Sequence, residues 1–150
     1  MRGIIVGVDG SAHSSYALEW AAREAAIRKV PLTVLAVDQA VVGCTGYAVA
    51  YMSDQDIIER TRVAAQDQAD KVLEQLDKAA RPLSVTVRGA VGIPADQLVD
   101  AAADADMLVV GARGTSSFSK LLLGPVSLQV IGHAPCPVAV IHDSRREGPV

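Results

Sequence analysis

Apolar residues along this chain fall into two alternating patterns. Five short runs read as strands: GIIVGVD (3–9), LTVLAVD (32–38), DMLVVGA (106–112) and VAVIH (138–142), which are almost continuously apolar, and LSVTVRG (83–89), which is mixed. Runs of that length suit strands buried on both faces of a sheet. Between them the apolar positions recur at helical spacing. Residues 16–29 carry Ala17, Leu18, Ala21, Ala22, Ala25 and Ala26 on one face, after a turn-and-cap segment GSAHSS. Residues 54–80 carry Ile58, Ala65, Ala69, Val72, Leu73 and Leu76, and Arg81-Pro82 ends the pattern. Pro94 opens a short helix over 94–104, and Pro125 opens another to Gly132, both at the favoured first helical position. Residues 39–53 fit no clean period and predict a long apolar loop, either functional or a flap over the sheet or a partner.

Strands that alternate with helices imply parallel strands joined by right-handed crossovers. The predicted fold is α/β, a doubly wound five-stranded parallel sheet. The length, 150 residues, suits one domain over 1–150, with DSRREGPV (143–150) as a solvated tail. Half of the chain is hydrophobic but only 3% is aromatic, so the core must be built from Val, Leu, Ile and Ala. A net charge of −3 with scattered basic residues argues against a nucleic-acid partner. No apolar run reaches the roughly 18 residues of a membrane span, and the N-terminal run lacks a signal-peptide cleavage site. Cys44 and Cys136 show no CxxC and no neighbouring histidine at ligand spacing, so no metal or disulfide is predicted. A cytoplasmic protein is expected.

Candidate chemistry gathers at two strand ends, because open parallel sheets bind ligands at their carboxyl edge where the strand order reverses. The first strand ends in Asp9-Gly10-Ser11. The fourth ends in GARGTSSFSKLLLGPVS (111–127), where Gly111 and Gly114 are followed after nine residues by Gly124. Neither a P-loop nor a GxGxxG fingerprint is present. Glycines nonetheless let backbone approach a ligand, and the N–H groups that open the following helix attract anions. Ser127 offers a hydroxyl there, and Arg113 and Lys120 offer positive charge. The bland reading is a turn and a helix cap. Asp9 reads either as an acceptor for a ribose hydroxyl or adenine amino group, or as a helix cap. Ser11 and His13 beside Asp9 suggest nucleophilic chemistry weakly, since cap residues cluster in the same way.

These blocks carry a resemblance. The glycine stretch resembles the G-x2-G-x9-G-[ST] signature of the universal stress protein family, up to its last position. IIVGVDGS looks like that family's first strand and aspartate turn, and PCPVAVIH resembles its closing strand. The likeness spans residues 3–142. It implies a Rossmann-like sheet of order 3-2-1-4-5 and ATP binding in many members. Mapped by motif, Val8, Asp9 and Val37 stand on the adenine and ribose side. Val110, Gly111, Arg113, Gly114, Gly124, Val126 and Ser127 stand on the phosphate side. One position departs from the pattern: Pro125 replaces the Ser or Thr after the last glycine and removes a hydroxyl and an N–H. That departure leaves room for AMP, cyclic AMP or an empty site beside ATP, with or without Mg2+.

Three functions follow. The first is an adenine-nucleotide-binding stress regulator. The second is a nucleotide-independent interaction module of the same family. The third, a slow ATPase, lacks an acid–base pair at suitable spacing. A homodimer is expected through the fifth strand, whose Val138 and Val140 follow Pro135 and Pro137 and make an apolar edge.

Overall fold

The computed structural model describes residues 3–39, 53–112 and 125–142. Five strands form one parallel sheet: β1 (Ile4–Val8), β2 (Leu32–Asp38), β3 (Val85–Val91), β4 (Met107–Gly111) and β5 (Val138–Ile141). Their spatial order is β3-β2-β1-β4-β5, and every pair is parallel. Among the described residues four α-helices connect them: α1 (Ala12–Arg28), α2 (Asp54–Glu74), α3 (Pro94–Ala101) and α4 (Pro125–His133).

The helices cover both faces. On one face α1 and α2 bury Ala17, Leu18, Ala22, Ala65 and Ala69 against Ile4, Val6, Val34 and Val109. On the other, α3, the turn that follows it and α4 bury Leu98, Ala102 and Val130 against Ile5, Leu35, Leu108 and Val110. Each central strand feeds both layers, which is why its apolar run is unbroken. Apart from Met107, the buried core is the predicted set of aliphatic residues. No helix among the described residues is long and apolar enough to cross a membrane.

Several element boundaries differ from the sequence reading. Helix α1 begins at Ala12 rather than at 16, because Ser11 is the N-cap and its hydroxyl accepts from the Ser14 N–H. Ser14 and Ser15 therefore lie inside the first turn. Helix α2 stops at Glu74 rather than at Ala80. The extended Asp77 and a 3-10 turn (Lys78–Ala80) follow, and the Arg81 Nε donates to the Leu76 carbonyl at 3.0 Å. Arg81 also reaches the last helical carbonyl, its Nη2 donating to Glu74 at 3.4 Å, so it holds the carbonyls at and just past the helix end. The helix opened by Pro94 ends at Ala101, and a 3-10 turn carries on to Asp104.

Strand β3 runs two residues later than predicted. Its register against β2, from Leu32↔Val85 to Asp38↔Val91, fixes its length. Leu83, 99% exposed, lies outside it. Hydropathy alone could not place this strand, because Thr86 and Arg88 on its solvent face dilute the apolar run.

Candidate functional site

Strand order reverses between β1 and β4: the chain leaves β1 toward β2 and β3, then crosses back to β4 and β5. The two strands pair from Ile4↔Met107 only to Val6↔Val109. Beyond that point β1 stays paired with β2 as far as Val8↔Ala36, and β4 with β5 as far as Gly111↔Ile141. Hence β1 and β4 part at their carboxyl ends, and this is where an open parallel sheet accepts a ligand.

Of the residues singled out from sequence, Val8, Asp9, Val110 and Gly111 line the two sides of this opening. The Val8 and Val110 side chains are buried in opposite core layers. They present backbone, not side chains, to anything bound there. Val37, near the end of β2, packs half-buried with the α3/α4 layer, as does Val126. Arg113, Gly114, Lys120 and Gly124, and the loop 39–53 except for its two end residues, lie outside the described residues.

Asp9 sits exposed just past β1. Its Oδ1 accepts from the Ser11 N–H at 2.9 Å and from the Ser11 hydroxyl at 2.5 Å. The helix cap is Ser11 itself, and Asp9 closes an Asx-type turn ahead of it. The Ser11 hydroxyl donates its proton to Asp9, as a capping residue does. Gly10 between them adopts φ +85, a conformation that disfavours side chains.

Pro125 is the first residue of α4, as its sequence context predicts. Two residues on, the Ser127 hydroxyl donates to the Gly111 carbonyl at 2.6 Å, and Ser127 is only 3% exposed. That proton therefore goes to the strand end and not outward. The bond ties the start of α4 to the end of β4. What remains at the helix start for an anion are the N–H groups of Val126 and Ser127, which belong to the opening turn. Among the described residues no group of three or more His, Cys, Asp or Glu could hold a metal ion.

Two residues of the site escaped the sequence reading. Gln68, in the middle of α2, reaches the Asp9 turn: its Oε1 accepts from the Gly10 N–H at 3.1 Å. Its Nε2 donates to the Ser14 and Ser15 hydroxyls at 3.0 and 2.9 Å. Ser14, buried beneath the turn, also accepts from the Asp9 N–H at 3.2 Å. The Ser11-x-x-Ser14 spacing could have signalled the second. Nothing in the sequence signals the first, which lies 58 residues from its partner Gly10.

The family model described as "Universal stress protein family" matches residues 1–142. A universal stress protein of Mycobacterium tuberculosis (strain ATCC 25618 / H37Rv) is 37% identical over 144 residues, covering 94% of this chain and 48% of that relative. The chain thus spans about half the length of the curated relatives it matches. Among solved structures, UspA from Lactobacillus plantarum superposes with a TM-score of 0.72 at 26% identity, covering 93% of this chain and 97% of that one. A universal stress protein crystallised in complex with cAMP gives 0.65 at 29% identity over 94% of this chain and 96% of its own. The Archaeoglobus fulgidus protein in complex with dAMP gives 0.58 at 27% identity over 94% and 98%. With the match running from the first strand through the last, and with the sheet order and switch point described above, the chain belongs to the universal stress protein family.

Proposed function

We propose that this protein binds an adenine nucleotide where β1 and β4 part and acts as a stress-response regulator, with no hydrolysis or very slow hydrolysis. The observation that carries the reading is that divergence, with the exposed Asp9 on one side and the side-chain-free Gly111 on the other. Relatives of the same fold with cAMP and dAMP bound support the ligand class. The adenine and ribose lie against the backbone of Val8 and Val37 and the Asp9 carboxylate. The phosphates lie along Val110, Gly111, Arg113, Gly114 and Gly124 and meet the Val126 and Ser127 N–H groups. Mass spectrometry of nucleotide released from the denatured protein should show an adenine nucleotide. No such nucleotide, together with no calorimetric binding of ATP, AMP or cyclic AMP at millimolar concentration, would overturn the assignment.

ATP, with or without Mg2+, is the proposed ligand, with AMP and cyclic AMP as alternatives. Pro125 bears on that choice, since it brings no N–H to the start of α4. Pro125→Ser restores a hydroxyl and an N–H, worth about 1.5–3 kcal/mol as charge-assisted hydrogen bonding. ATP should then bind roughly ten- to a hundredfold tighter, while adenosine changes little. An unchanged ratio of the two affinities would show that position 125 does not face phosphate. The same proline favours the second reading, a nucleotide-independent interaction module.

The regulator acts as a homodimer through β5. Among the described residues this strand pairs on one side only, with β4, and its four residues are all only half-buried. Helix α4, packed beside it, leaves Leu128 and Ile131 exposed at 56% and 47%. An apolar edge of this kind is covered by pairing with a second copy around a twofold axis. Val140→Lys should shift the protein toward monomer in light scattering while its circular dichroism stays native. Wild type that is monomeric at high micromolar concentration excludes the dimer.

A further inference from the structure

Both ends of the Gln68 carboxamide are used, and all of its partners flank Asp9. The Oε1 holds the Gly10 N–H, and the Nε2 holds the Ser14 and Ser15 hydroxyls, with the Ser11 carbonyl at 3.4 Å. Asp9 is in turn fixed through Ser11 and Ser14: Oδ1 accepts from Ser11, and the Asp9 N–H donates to Ser14. The Ser14 hydroxyl has one proton and two lone pairs. The proton goes to the Ser11 carbonyl at 3.0 Å, and the lone pairs take the Asp9 N–H and the Gln68 amide. Rotating the Gln68 amide by half a turn would set its NH2 against the Gly10 N–H, so the network also fixes the amide's orientation.

We propose that Gln68 is a positioning residue: from α2 it sets the Asp9 turn, and through Asp9 it sets affinity for the ribose side of an adenine nucleotide. Asp9 and Gly10 are exposed, and Gly10 is in a conformation open to glycine alone at low cost. Without a clamp such a turn samples several carboxylate directions, and a ligand must then order it. Gln68 imposes that order beforehand. The tie crosses from α2 to the β1–α1 connection, so a displacement of α2 loosens the Asp9 turn as well. The proposal rests on the reading that Asp9 contacts the nucleotide.

The test is calorimetry with adenosine, AMP and ATP on wild type, Gln68→Met, Asp9→Asn and the double variant. Methionine keeps the length of the side chain and removes its hydrogen bonds. Gln68→Met should weaken all three ligands by a similar factor, about tenfold, because the ribose side is common to them. In the Asp9→Asn background the same change should cost less than about twofold, since two residues acting as one unit are not additive. Amide exchange at Gly10 should also quicken in Gln68→Met without any ligand. Equal binding by wild type and Gln68→Met overturns the proposal, as does a full tenfold loss in the Asp9→Asn background, which marks a purely structural role. If Gln68→Met does not fold, Gln68→Ala, which adds no bulk, takes its place with the same outcomes. Wild type that binds none of the three ligands fells the nucleotide reading and this proposal together. Wild-type binding with an indifferent Gln68→Met fells this proposal alone.

Discussion

Gly89→Val lowers the melting temperature by about 10 °C, the largest stability effect expected of any single change discussed here. Gly89 lies in β3 opposite Ala36, and α2 crosses it at backbone distance. A Cβ placed on Gly89 would stand 2.4 Å from the Ile58 carbonyl oxygen and 2.8 Å from the Arg62 nitrogen. These are helix backbone atoms, so no side chain can rotate away to make room. The whole of α2 must move off the sheet, which costs about 3 kcal/mol on the usual scale of overpacking. Each kcal/mol lowers the midpoint of a chain this long by about 2–4 °C. Gly132→Ala is the control: it lies in α4 with nothing within 4 Å of an added Cβ, and alanine is the better helix former there. It should leave the midpoint unchanged or raise it slightly. A melting temperature equal to wild type in Gly89→Val would mean that α2 does not approach β3 this closely in solution.

Gly114→Val and Gly124→Val abolish most of the affinity for ATP while the fold survives. Under the proposed function, backbone at these two positions approaches the phosphates, and a branched side chain would occupy that volume. Two charge-assisted hydrogen bonds lost at about 1.5–3 kcal/mol each amount to a hundredfold weakening or more. Adenosine has no phosphate and should bind both variants as it binds wild type. The contrast with Gln68→Met is diagnostic, because that change weakens all three ligands alike. Calorimetry with ATP that cannot tell wild type from both glycine variants would remove the phosphate site from residues 111–127.

The order of elements and the class of fold were legible because burial on both faces leaves its own mark. Ile4, Val6, Val34, Leu108 and Val109 must all be apolar when helices cover each side of the sheet. The same pattern fails at the edge. Strand β3 has a solvent face, so its apolar run is interrupted, and its ends are set by pairing with β2 instead. Helix ends behaved alike: the Ser11 cap was readable as a residue type, but not the choice among Ser11, Ser14 and Ser15, which depends on which hydroxyl meets which N–H.

Sequence by itself placed the two strand ends that the proposed site uses. A strand that stops at Asp9-Gly10-Ser11 and another that stops at Gly111 are local facts, and the rule that parallel strands present their carboxyl ends together brings them to one edge. Only the tertiary structure decided how those ends are held. It sends the Ser127 proton to Gly111, brings Gln68 to the Asp9 turn, and parts β1 from β4 after Val6 and Val109. The physical reason is that a hydrogen bond is specified by the meeting of two groups within about 3 Å. Residues far apart in the chain, such as Gln68 and Gly10, carry no trace of that meeting in their own identities. Burial acts on each residue singly and can be read from it; a contact belongs to a pair, and folding selects the pair.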